Sequence, residues 1–141
     1  MLTYDPSQVS VIFGGQPITG FADGTFVQLE RDEDAYALSI GIDGEGTRAK
    51  SNNKSGKATL TLQQSSPSND YLTGIAKLDE LRNAGVLPLL IKDNSGRTLA
   101  MAEKAYIVKL PASEFSREVS EREWIIQTDR LELFVGGNVS A

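Results

Sequence analysis

Residues 34–64 read DAYALSIGIDGEGTRAKSNNKSGKATLTLQQ, and this stretch decides the fold. Tyr36, Leu38, Ile40 and Ile42 alternate with Ala37, Ser39 and Gly41. Further on, Ala58, Leu60 and Leu62 alternate with Lys57, Thr59, Thr61 and Gln63. A period of two marks half-buried strands, so the stretch predicts strands at Ala35–Ile42 and Gly56–Gln64. The connection between them, Asp43–Ser55, is almost wholly polar. It carries Asp43, Glu45, Arg48, Lys50, Asn52, Asn53 and Lys54. Most connections in compact domains are short, and a long one is usually functional or disordered. A polar arm that cannot pack on its own core is expected here.

The flanking sequence continues the β pattern. Val9, Val11 and Phe13 alternate with polar residues, and Gly14-Gly15 supplies the positive φ of a two-residue hairpin turn. Pro17 lacks a backbone donor, so the returning strand belongs at an edge. Val27 and Leu29 share one face of a strand at Thr25–Arg31, and Phe26, Gln28 and Glu30 share the other. Asp32-Glu33-Asp34 is a charged turn.

After Ser65–Asn69 the period changes. Leu72, Ile75, Leu78 and Leu81 lie three apart, which predicts one helix at Asp70–Ala84, with Ser68 or Asn69 as N-cap and Gly85 past its end. Strands follow at Leu87–Lys92, Arg97–Ala102 and Lys104–Leu110, with a turn at Asp93-Asn94-Ser95-Gly96. In the last strand region, Arg122–Val135, Trp124, Ile126 and Thr128 share one face, and a bend is expected near Asp129-Arg130. Gly136–Ala141 is expected to be a loose tail.

The expected class is mainly β: a two-sheet sandwich or barrel, one flanking helix, a long extended arm, and a single domain over residues 1–141. The 141 residues suffice for one core.

Composition removes several functions. The chain has no Cys and no His, so it lacks thiols, disulfides and the commonest zinc and general-base side chains. A formal charge of −5 argues against gripping nucleic acid, which needs clustered Lys and Arg. No apolar run approaches the roughly 20 residues of a membrane span, and no secretory signal is visible, so no membrane insertion is expected. Gly41–Gly46 lacks the Gly-Lys-Ser/Thr ending of a phosphate loop. Asp43 and Glu45 lack the ligand spacing of a calcium loop. Glu114, Glu118, Glu121 and Glu123 read as a solvated acidic face rather than an acid/base pair. No catalytic, cofactor or metal residue is expected.

The order of features carries a resemblance. Gly20-Phe21-Ala22-Asp23-Gly24 leads into Phe26–Arg31. Asp32-Glu33-Asp34, Tyr36–Ile42, Asp43-Gly44 and the polar arm follow. Next come Thr59–Gln64 and Ser65-Ser66-Pro67-Ser68-Asn69-Asp70-Tyr71-Leu72. Lys92–Gly96 and Arg122-Glu123-Trp124 complete the set. Over roughly Ser7 to Phe134 this resembles the tail tube proteins of contractile-tailed bacteriophages.

The resemblance implies a virion structural protein, assembled in the host cytoplasm. Copies form homohexameric rings that stack helically into a hollow tube. The partners implied are the tail sheath, baseplate and tail-terminator proteins, and DNA passes through the lumen without specific binding. The arm residues Asp43, Glu45, Arg48, Lys50, Asn52, Asn53 and Lys54, with Lys57, would reach the adjacent ring and meet acidic surface such as Asp32, Glu33 or Asp34. Gln28, Glu30, Ser39, Thr59, Thr61 and Gln63 are candidates for the lumen wall. A ring of six would carry about thirty negative charges, which denies DNA phosphate its usual partners. The same assembly would serve a genome-free machine such as a tailocin or secretion apparatus. A monomeric β-sandwich binding module is the remaining reading.

Overall fold

The computed structural model describes residues 9–24, 26–93 and 98–135. The order of elements is β1 (Val9–Phe13), β2 (Gln16–Ile18), β3 (Val27–Arg31), β4 (Tyr36–Ile40), β5 (Gly46–Lys50), β6 (Gly56–Gln63), α1 (Ser68–Arg82), β7 (Leu87–Asp93), β8 (Thr98–Ile107), β9 (Glu121–Thr128) and β10 (Glu132–Leu133). An eight-stranded sheet runs β2-β1-β7-β8-β9-β6-β3, with β10 alongside β8. β4 and β5 form a separate two-stranded sheet. The class is mainly β with one helix, as the alternation predicts.

The large sheet curls into a barrel, and the chain itself shows why. β2 stands at one end of the sheet and ends at Ile18. Gly20 already accepts a bond from Gln63 of β6, near the other end, and Ala22 donates to Thr61. One residue of chain therefore spans the two ends. Gly20 makes this crossing at φ +77, and a Cβ there would collide with Ser66. The inward faces supply one core: Val11 and Phe13 of β1, Leu60 and Leu62 of β6, Leu89 and Ile91 of β7, and Trp124 and Ile126 of β9. Gly14 and Gly15 turn β1 into β2 at φ +63 and +83, as their sequence demands.

The helix closes one side of this core. It runs Ser68–Arg82 rather than Asp70–Ala84, with Pro67 at its N-cap and no side-chain cap. The αL position at its end is Asn83 (φ 53), not Gly85. Gly85 instead sits against Asp79, whose Oδ1 accepts its N–H at 3.1 Å. The buried residues are Ser68, Leu72, Ile75 and Ala76, an i, i+4, i+7, i+8 set. Leu78 and Leu81 are exposed. At about 100° per residue, steps of three fall back by some 60° each, so Leu81 ends on the side opposite Leu72. Tyr71 Oη donates to the Phe13 carbonyl at 2.9 Å, and Trp124 Nε1 donates to Asn69 Oδ1 at 2.9 Å. These bonds pin the helix to β1 and β9.

Two strand expectations change. Arg97–Ala102 and Lys104–Leu110 merge into β8, one continuous strand. Leu89 pairs Ala102 while Leu87 pairs Ala105, so β8 carries an extra residue at the irregularity. That bulge resets the alternation and makes one strand read as two. The larger change concerns Ala35–Ile42. It is not half-buried: every residue of β4 is exposed, and β4 pairs only with β5. The projecting unit is thus a hairpin that includes Tyr36–Ile40, and Asp43–Ser55 contains its tip, its second strand and its return. The turn at 93–96 lies partly, and the tail at 136–141 wholly, outside the described residues.

Candidate assembly interface

The hairpin arm is built from its own register. Tyr36 faces Lys50, Leu38 faces Arg48, and Ile40 faces Gly46. Direct cross-strand partners share a face, so one side of the arm is apolar along β4 and basic along β5. The Arg48 guanidinium lies 4.0 Å above the Tyr36 ring, within cation–π range. At the tip, Gly44 at φ +86 donates to the Gly41 carbonyl at 3.0 Å, and Asp43 Oδ1 accepts the Glu45 N–H. Leu38 is 72% exposed, Ile40 58%, and Ile42 fully exposed. A lone two-stranded hairpin is marginal in water, so such a surface calls for a partner.

The root of the arm is polar. Ser51 N–H donates to the Ala35 carbonyl, and Asp32 N–H donates to the Ser55 carbonyl. Ser51 Oγ donates to Glu33 Oε2, and Ser55 Oγ to Asp32 Oδ2. Gln127 Nε2 of β9 also donates to Asp32 Oδ2. Asn53 folds the return by accepting the Ser55 N–H on Oδ1. The acidic residues expected to receive a neighbour's arm are therefore engaged, in the case of Asp32 and Glu33, at the root of their own.

A second surface is the outward side of β3, β6 and β9. Gln28 faces Thr59, which faces Ile125; Glu30 faces Lys57, which faces Gln127; Thr61 faces Glu123; Gln63 faces Glu121. Lys57 pairs with Glu30 at 3.3 Å. The face is polar, and Glu121 and Glu123 leave it acidic. The structure brings together Gln28, Glu30, Thr59, Thr61 and Gln63 on this face. Ser39 lies apart, in the arm. Lys57 belongs to the sheet, not to the arm. Asp43, Glu45, Arg48, Lys50, Asn52, Asn53 and Lys54 lie in the arm or its return. Glu121, Glu123 and Gln127 complete the outward face, and the alternation around Trp124 is the signal that places them there.

The third feature is the seam between the sheet's end strands. A concavity of about 530 Å³ opens there, lined by Val9, Val11, Ile18, Phe21 and Phe26 among others. β2 and β3 each have one unpaired side, and open strand edges template pairing with another chain.

Among the described residues no group of acidic side chains is placed to hold a metal ion, and none of their helices is long and apolar enough to cross a membrane. Arg130 bonds Glu132 at 2.7 Å and holds that carboxyl below its usual range, by hydrogen bond first and charge second. Burial pushes the Tyr71 phenol upward.

Residues 13–136 match the family described as Bacteriophage PhiTE tail tube protein. The chain is 36% identical over 144 residues to "Structural protein ORF10" of Pseudomonas phage KPP10, covering 96% of this chain and 83% of that protein. Among solved structures, the fold is similar to a chain of the sheath/tube terminator of an extracellular contractile injection system, PVC. There the TM-score is 0.65 at 16% identity, covering 94% of this chain and 96% of that one. It is also similar to the tube-terminating cap of the anti-feeding prophage, with a TM-score of 0.64 at 12% identity, covering 96% and 93%. A chain of the PVC sheath–tube complex gives a TM-score of 0.55 at 14% identity, covering 92% and 91%. The chain therefore belongs to the bacteriophage tail tube family, as a structural protein of the virion tail and not an enzyme.

Proposed function

We propose that this protein forms hexameric rings that stack helically into the inner tube of a contractile tail, and that the tube is the conduit for DNA ejection. The observation that carries the proposal is the arm. It is a formed hairpin whose apolar side chains Leu38, Ile40 and Ile42 are exposed, and none of them belongs to the barrel's core cluster. Exposed apolar surface of this kind marks a protein contact, and the open edges at β2 and β3 offer further contacts by strand pairing. The arm residues from Asp43 to Lys54 are assigned to contacts between rings.

The polar, acidic face of β3, β6 and β9 is assigned to the lumen, with Gln28, Glu30, Thr59, Thr61 and Gln63 on its wall and Lys57 paired among them. Such a wall offers phosphate no cationic grip, so DNA slides without being held. The outer surface is left for sheath, and the tube ends for baseplate and terminator proteins. The phage relative favours a tube that carries a genome over a genome-free injection machine. Negative-stain electron microscopy of the purified protein tests the proposal. Hollow tubes or stacked six-fold rings are expected, and a monomer that persists at high concentration overturns it.

A further inference from the structure

The barrel carries a second outward face, and the register gives it an unusual composition. Pro17 of β2 faces Ile12 of β1; Ile12 faces Leu90 of β7; Leu90 faces Met101 of β8; Met101 faces Glu132 of β10. Direct partners point to the same side, so Pro17, Ile12, Leu90 and Met101 form an apolar row across four adjacent strands. Pro17 and Met101 are exposed, and Ile12 and Leu90 half-buried. The row ends at a concavity of about 330 Å³ that includes Met101, Glu103, Lys104, Asp129, Arg130 and Glu132. Arg130 is paired with Glu132 at 2.7 Å, and among the other charged lining residues two carboxylates, Glu103 and Asp129, accompany one cation, Lys104.

We infer that this row seats the arm of a second copy. The inference rests on the self-assembly reading above and adds the seat. Three features of the two surfaces agree. First, both are apolar stripes that need cover: Tyr36, Leu38 and Ile40 on the arm, and the four-strand row on the body. Second, their lengths match. Four residues of strand at about 3.4 Å carry Tyr36 to Ile40 over about 14 Å, and three strand spacings of about 4.8 Å carry Pro17 to Met101 over about 14 Å. Third, the charges are complementary in one orientation. With Tyr36 over Met101, Lys50 lies one strand spacing to the side, because it is the cross-strand partner of Tyr36. Glu103 lies to the side of Met101 by two residues along β8. Lys50 then meets Glu103. The arm crosses the body strands in this seat, so the contact is made by side chains and leaves the β2 and β3 edges free.

The absence of cysteine makes the test clean. Copies carrying Tyr36→Cys are mixed with tagged copies carrying Met101→Cys, allowed to form particles, and treated with a short bis-maleimide. Facing sheets lie about 10 Å apart, beyond the reach of a disulfide but within that of the linker, so a mixed dimer on a denaturing gel reports the seat. The mixed dimer is expected for this pair and not when Thr59→Cys, on the opposite outward face, replaces Met101→Cys. Tubes that form without the Tyr36–Met101 bridge overturn the seat while leaving the assembly reading intact. A chain that never leaves the monomeric state overturns both. A bridge between Ile40→Cys and Met101→Cys in its place overturns the orientation. As a second measurement, Lys50→Glu is expected to lower the fraction of protein in tubes at least tenfold, and Glu103→Lys in the same chain to restore it. A double variant no better than the single one overturns the Lys50–Glu103 contact.

Discussion

Gln127 Nε2 donates a hydrogen bond to Asp32 Oδ2 at 2.7 Å, across 95 positions of sequence. Through it the outward face of β9 holds the root of the arm. Asp32 also receives Ser55 Oγ at 2.8 Å, so one carboxylate fastens both the exit and the return of the hairpin. A second tie is the Leu131 N–H, which donates to the Lys54 carbonyl at 2.9 Å, so the barrel also grips the return of the arm.

Asp32→Ala is expected to loosen the root without unfolding the barrel. The lost bonds are solvent-exposed, so the global cost should stay within about 1 kcal/mol. Local opening should rise instead. Trypsin cleavage after Lys50 and Lys54 should quicken several-fold while the urea midpoint barely moves. Equal cleavage rates would show that the arm is held by something else.

The stripe on the arm should matter to copies, not to the single chain. Leu38→Ser with Ile40→Ser removes exposed apolar surface that contacts no part of the core. Monomer stability should change by no more than about 0.5 kcal/mol, and the fraction of protein sedimenting as tubes should collapse. A melting temperature that falls by several degrees would mean that the stripe packs at home.

Asn69→Ala strands the indole N–H of Trp124, which is 1% exposed. An unpaired buried donor costs about 1–3 kcal/mol. Chemical denaturation followed by the single tryptophan's fluorescence measures this directly. Trp124→Ala, which also leaves a large cavity, should cost about 3–5 kcal/mol.

Tyr71 predicts an alkaline limit. Burial raises its pKa above the ordinary 10.0, so the folded state holds the phenol proton more tightly than the unfolded state does. The stability this contributes is fully present below about pH 10 and is lost as pH rises through the folded-state value. Tyr71→Phe removes the bond to the Phe13 carbonyl, at about 1 kcal/mol near neutrality. It should also flatten the decline above pH 10, as read from melting temperatures across an alkaline series.

Much of the barrel was legible because its signals are local. The Gly14-Gly15 turn, the proline edge strand and the Trp124–Thr128 alternation each depend on a few neighbouring residues and on period two. What stayed hidden depends on partners distant in sequence. The alternation of Tyr36, Leu38 and Ile40 is identical for a strand on its own core and for one that waits for another molecule. Period alone cannot tell which side is covered, so the arm was expected to begin at Asp43 although it begins at Tyr36. Lys57 read as the end of the basic run, but Gly56 had already returned the chain to the sheet. The bulge in β8 split one strand into two by the same logic, because an extra residue inverts the pattern without breaking the pairing. On the helix, leucines three apart mimicked a stripe that turns away from the core.

The arm stands apart from the barrel as a two-stranded sheet, and among the described residues there is no second one. A contact between an arm and a surface that is not an arm can close as a two-fold pair only if two copies exchange arms; in the proposed stack of rings it is repeated head to tail instead. In the proposed stack every added layer would repeat the mismatch, and the growing filament would acquire a heading. One end would present unoccupied hairpins and the other vacant cradles. Stopping such a filament takes two different plugs, one shaped to accept a hairpin and one shaped to replace it.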